Sequence, residues 1–144
     1  MKISTKGRYG VRLMIDLAIH NTGEAVKLKD ISLRQEISEK YLEQIVASLN
    51  KAGFVRSIRG AQGGYVLAKD PQQITVGDIL RTIEGSLAPV ECLMEGAPVC
   101  PREAKCATVK LWRELYDAIN NVVDKYTIAD LANKQKSEVL DFII

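Results

Sequence analysis

The chain has 144 residues, 47% hydrophobic and 26% charged, with a formal net charge of +2. That length suits one ordinary domain, or a small domain with an appended element, and the composition excludes a fibrous or disordered chain. A net charge near zero excludes whole-molecule polyelectrolyte binding, but residues 1–69 carry 12 basic and 6 acidic side chains while residues 70–144 carry 8 and 12. The basic half is therefore the candidate for DNA.

In chain order, "TKGRYGVRLMIDLAIHN" predicts a first helix, with Val11, Met14, Ile15, Ala18 and Ile19 at helical spacing and Asn21 with Gly23 ending it. "KLKDISLRQE" predicts a second, with Leu28, Ile31 and Leu33 inward. Ser38 caps a third, "EKYLEQIVASLNKAG", with a buried stripe of Leu42, Ile45, Val46 and Leu49 and a left-handed stop at Gly53. Two short helices across a tight turn form a helix-turn-helix pattern, and "FVRSIRGAQGGYVLAK" follows as a β-hairpin around a glycine-rich turn, a wing. Thr75 and Asp78 make a capping box for a helix ending at Gly85. From about Thr108, Leu111, Leu115, Ile119, Val122 and Tyr126 mark the seam of a long helix suited to pairing with its twin. "TIAD" at 127–130 opens a short final helix.

The expected fold class is mainly α with a small β wing: a winged helix-turn-helix over 1–85, a cysteine-containing loop over 86–107, a dimerisation helix and short terminal helix over 108–134, and a tail over 135–144. With no signal-peptide pattern and no apolar run near roughly 18 residues, a cytoplasmic protein with no membrane partner is expected.

All three cysteines, Cys92, Cys100 and Cys106, fall in "VECLMEGAPVCPREAKC". In a reducing cytosol such a cluster points to metal or redox chemistry, and an odd count argues against a disulfide framework. Structural zinc normally shows close Cys-x2-Cys pairs, which this loop lacks; free thiols are the other plain reading. A nucleophilic cysteine has no nearby histidine, so no enzyme and no small-molecule substrate are expected.

"MKISTKGRYGVRLMIDLA", "ISEKYLEQIVASLNKAGFVRSIRGAQGGYVLAKD" and "ITVGDILRTIEG" closely resemble the bacterial winged-helix regulators that include IscR, NsrR and CymR, over about residues 1–134. The resemblance implies a homodimeric transcription regulator, with the N-terminal winged helix on a pseudo-palindromic double-stranded DNA operator and the helix from 108 forming the dimer. It also implies an iron-sulfur cluster, 2Fe-2S or another iron-sulfur form, held by Cys92, Cys100 and Cys106 in the loop before that helix. CymR-like members lack the cluster, so a cysteine-metabolism regulator controlled by a protein partner is the alternative, as is an NsrR-like nitric-oxide sensor.

Two departures stand out. The spacing here is Cys-x7-Cys-x5-Cys, two residues longer in the first gap than in IscR-like proteins. Where those carry a histidine as fourth ligand this chain has Val109, and where NsrR-like proteins offer an early acidic residue it has Arg8. The fourth position stays open between Glu95, Glu103, Glu91, the sole histidine His20, an acidic side chain from the partner subunit, and an exogenous thiol or water.

For DNA, the candidates on the third helix are Ser38, Lys40, Tyr41, Glu43, Gln44 and Lys51. Gln44 can pair bidentately with adenine, and Glu43 can accept from cytosine N4 while penalising sites without that donor. Arg59 at the mouth of the wing suits a narrow minor groove, with Arg56 and Gln62 beside it, and Lys2, Lys6, Arg8 and Arg12 suit phosphates around the first helix.

Overall fold

The Ser4 hydroxyl accepts the Gly7 N–H at 2.9 Å and so opens α1 (Thr5–Ile19) in the computed structural model, which describes residues 2–143. There follow α2 (Leu28–Gln35), α3 (Glu39–Lys51), strands β1 (Val55–Ile58) and β2 (Gly64–Leu67), α4 (Val76–Glu84), α5 (Val109–Lys125) and α6 (Ile128–Ile143). Short 3-10 turns lie at Pro71–Gln73, Glu91–Leu93 and Glu103–Lys105. The chain is mainly helical with one small antiparallel sheet, the expected class.

The core is built where apolar residues recur every three or four positions. Leu13, Met14 and Leu17 of α1 meet Leu42, Ile45, Val46 and Leu49 of α3, closed by Ile31, Val55, Ile74, Ile79 and Ile128. The α3 stripe is buried as predicted, Ser38 caps the helix by accepting the Tyr41 N–H at 3.1 Å, and Gly53 ends it at φ 85°. The inward reading of α2 needs one correction: Ile31 is fully buried but Leu33 is 71% exposed. Residues two apart on a helix point to different faces, so burying Ile31 turns Leu33 out.

The wing pairs Val55 with Leu67 through to Ile58 with Gly64. Val26 and Tyr65 exchange backbone hydrogen bonds of 2.9 and 2.8 Å, fastening the wing to the segment before α2. Two capping boxes then stand side by side. Thr75 and Asp78 start α4, Thr127 and Asp130 start α6, and an antiparallel bridge joins Thr75 to Thr127. The final helix is not short: α6 runs 16 residues, through positions expected as a tail. Its first turns bury Ile128 and Ala132, which anchors a helix whose closing stretch, "SEVLDFII", is too short by itself to read as an element.

The long helix forms as expected, yet none of its residues is buried. Two adjacent stripes run along it. Trp112, Tyr116, Ile119 and Val123 are half-buried and turn toward the chain's own body, while Leu111, Leu115, Ala118 and Val122 are exposed. Ile119 thus leaves the expected seam: Ala118, one position earlier, completes the outward 4-3-4 spacing.

Candidate nucleic-acid interface and cysteine cleft

The third helix presents Lys40, Glu43, Gln44 and Lys51 on its exposed side, opposite the buried stripe. Arg56, Arg59 and Gln62 are exposed on the wing, and Lys2 and Arg8 on the N-terminal side, with Lys6 partly covered. Among the described residues, none of these cations forms an ion pair with the protein, which leaves their charge available to phosphate. Three predicted positions have structural work as well. The Ser38 hydroxyl is the cap, the Tyr41 ring sits edge-on to Tyr9 at 5.8 Å, and Arg12 donates to the Gln35 side chain and carbonyl while its guanidinium lies 5.2 Å from the Tyr9 ring.

α2 is pinned to α1 by a buried carboxylate that periodicity did not single out. Asp16 is 1% exposed and accepts Arg34 Nη2 at 2.7 Å, Arg34 Nε at 3.0 Å and Gln35 Nε2 at 3.0 Å. Burial alone would push its carboxyl up, but the Arg34 and Gln35 hydrogen bonds and the Arg34 charge together hold it below the ordinary value. His20 belongs to this network: its Nδ1–H donates to the Asp16 carbonyl at 2.9 Å. His20 lines a groove with Ile19, Arg34 and Val139, not the cysteine loop.

A second network joins α4 to the long helix. Arg81 donates to both Asp124 oxygens at 2.7 and 2.8 Å and to Asn120 Oδ1 at 2.8 Å. This bidentate pair holds the Asp124 carboxyl below its usual range. Gly77 allows the approach, since a Cβ there would collide with Asp124.

Between α4 and α5, Cys92, Cys100 and Cys106 line one cleft of about 150 Å³ together with Glu103, Val109 and Arg113. Cys106 lies beside the start of α5. The Thr108 hydroxyl, 3.4 Å from its Sγ, and the Thr108 and Val109 N–H groups favour the thiolate and hold Cys106 below the ordinary thiol value. Glu103 accepts Arg113 Nη2 at 2.6 Å. Glu95 lies in a separate depression with Arg81 and Tyr116. Partly exposed thiols in one cleft suit soft metal ions, although among the described residues no three His, Cys, Asp or Glu side chains are gathered closely enough to hold an ion.

The family described as Rrf2, iron-dependent transcriptional regulator, matches residues 3–134. The chain belongs to the Rrf2 family. The HTH-type transcriptional regulator CymR of Bacillus subtilis is 46% identical over 138 residues, 96% of this chain and 94% of CymR. IscR of Cronobacter sakazakii is 42% identical over 141 residues, 98% of this chain and 85% of IscR. Among solved structures, B. subtilis CymR, described as the global cysteine regulator, matches with a TM-score of 0.76 at 46% identity, covering 93% of this chain and 98% of that one. T. potens IscR matches with a TM-score of 0.76 at 44% identity, covering 94% and 88%.

This Rrf2 chain is thus a winged-helix, DNA-binding transcription regulator and not an enzyme. No described helix is long and apolar enough to cross a membrane. Its similarity divides evenly between CymR and IscR, so its control chemistry has to be argued from the cleft. Sequence reasoning missed Arg113, Arg81 and Arg34. Asp16 inside "LMIDLAI" was a usable signal for the last, because an acid on an apolar run needs a buried partner.

Proposed function

We propose that this regulator is a cytoplasmic homodimer that binds a pseudo-palindromic operator and is switched by an iron-sulfur cluster, of the 2Fe-2S type, held by Cys92, Cys100 and Cys106. The observation that carries this reading is the shared cleft: three thiols separated by as many as 14 positions face one cavity at the head of α5. The description of the matching family as iron-dependent supports the same reading. When bound, such a cluster supplies chemistry that responds to oxidant and iron supply, and a ligand set with only three thiolates keeps it labile.

The chain's own residues would relay occupancy. The loop leaves α4 at Gly85 and enters α5 at Thr108, and Arg81 clamps those two helices through Asp124 and Asn120. A loop that closes around a ligand pulls on both ends of that clamp. The exposed stripe Leu111, Leu115, Ala118 and Val122 suits the partner copy, and Gln44, Glu43, Lys40 and Arg59 suit groove and phosphate contacts. The test is the absorption spectrum of anaerobically purified protein. Sulfide-to-iron charge-transfer bands should be present and should vanish in Cys92→Ala, Cys100→Ala or Cys106→Ala; colourless, iron-free protein after anaerobic reconstitution contradicts the reading.

Two observations favour a second reading: among the described residues the three thiols are not drawn together, and Cys106 is held toward thiolate by Thr108. Control would then come from thiol oxidation or a protein partner in the absence of iron. Under that reading, an oxidant changes operator binding in iron-free protein and Cys106→Ala abolishes the change.

A further inference from the structure

We propose that Glu103 is the fourth donor beside Cys92, Cys100 and Cys106, with Arg113 of α5 as its positioning residue. The inference rests on the cluster reading above and assigns the ligand that reading leaves open. Glu103 is the one carboxylate lining the cleft among the described residues. Val109 lines the same cleft and offers no donor atom. Glu95 faces the Arg81 depression and His20 is turned to Asp16, so neither reaches the thiols of its own chain.

Local backbone geometry gives a reason for the choice. The Glu103 N–H donates to the Cys100 carbonyl at 3.0 Å, and the Cys106 N–H donates to the Glu103 carbonyl at 3.3 Å. These three-residue hydrogen bonds flank the single 3-10 turn Glu103–Lys105 and hold Glu103 at the start of it, between the two cysteines. Glu103 thus lies midway along the chain between two thiols of the cleft, three positions from each, and is tied to both residues by its own backbone.

Arg113 approaches from the adjoining helix and donates to Glu103 Oε1. Oε2 accepts no hydrogen bond among the described residues and is the oxygen left to bind iron. Arg113 also offsets part of the negative charge that three thiolates and a carboxylate would bring together. A hard oxygen among soft sulfurs binds iron less firmly than a fourth thiolate, which suits a site meant to be emptied.

The test compares full-length wild type with Glu103→Ala, Glu103→Gln, Glu103→Cys and Glu95→Ala, reconstituted anaerobically with iron and sulfide. Far-UV circular dichroism of each cluster-free variant checks the fold. Glu103→Ala and Glu103→Gln should lose iron to a chelator on the order of tenfold faster or more, with altered charge-transfer bands; Glu103→Cys should lose it more slowly; Glu95→Ala should match wild type. Arg113→Ala should keep the bands but lower the reduction potential, and Arg113→Lys should restore it. Glu103 variants that match wild type in spectrum and chelation rate overturn this assignment alone, whereas wild type that takes up no iron and sulfide overturns the cluster reading with it.

Discussion

The winged-helix body and the loop-plus-α5 segment are built from the same kinds of residue but are packed to different degrees. In the body, Leu13, Met14, Leu42, Ile45, Ile79 and Ile128 are fully buried, and Ser4, Ser38, Thr75 and Thr127 satisfy helix-start N–H groups. From residue 88 to residue 127 nothing is buried at all. The first region draws its stability from its own contacts. The second holds its place through the half-buried Trp112, Tyr116, Ile119 and Val123 and the Arg81–Asp124 pair, closes its own loop with Arg113 to Glu103, and presents an apolar stripe and three thiols to whatever binds them. Sparse burial suits a segment that would have to move under the proposed control, and a rigid frame suits the part that reads bases.

The largest expected break in this contrast is Leu42→Ala. It should cost about 2–5 kcal/mol in denaturant unfolding, whereas changing all three cysteines to serine in cluster-free protein should stay within about 0.5 kcal/mol. Leu115→Asp comes next: a charge in the open stripe should weaken self-association by about 2 kcal/mol or more, seen by sedimentation as monomer, with the fold intact by circular dichroism. Asp16→Asn should lower stability by about 1–3 kcal/mol at neutral pH by weakening the Arg34 and Gln35 bonds. Because the folded-state value of Asp16 is depressed, its contribution is complete above the ordinary carboxyl range and is lost as pH falls through the folded value. The gap between wild type and Asp16→Asn should therefore begin to narrow only as pH falls through about 4 and close below the depressed folded value. The smallest effect is expected for Arg59→Ala, a loss of about 1 kcal/mol in operator affinity with a shallower salt dependence and no change in stability.

The body was legible because its signals are local. The α3 stripe recurs at helical spacing, Thr75 with Asp78 and Thr127 with Asp130 announce their own helix starts, and Gly53 marks a left-handed stop. Errors arose where one apolar residue could face either way. Leu33 follows Ile31 by two positions and had to point out; Ile119 and Ala118 are neighbours on α5, and only packing against α4 and the N-terminus decides which faces inward. The late part of α6 crosses a polar run over 134–138 and ends in "SEVLDFII", too short a stretch to read as helix by itself, and it extends a helix anchored by the buried Ile128. In the cleft, the cysteines and Glu103 were visible as candidates. Arg113, ten positions further on, was not, because no local spacing rule links a 3-10 turn to the next helix.

The central claim is that occupancy of the cysteine cleft sets the affinity of the winged helix for its operator. The direct measurement is operator affinity of cluster-loaded and cluster-free wild-type protein in one anaerobic buffer at one salt concentration, with the Cys100→Ala variant beside them. The account predicts a difference between loaded and cluster-free wild type of about 5- to 150-fold, with Cys100→Ala matching the cluster-free form throughout. Equal affinities for loaded and cluster-free protein, at every operator the dimer binds, would contradict it.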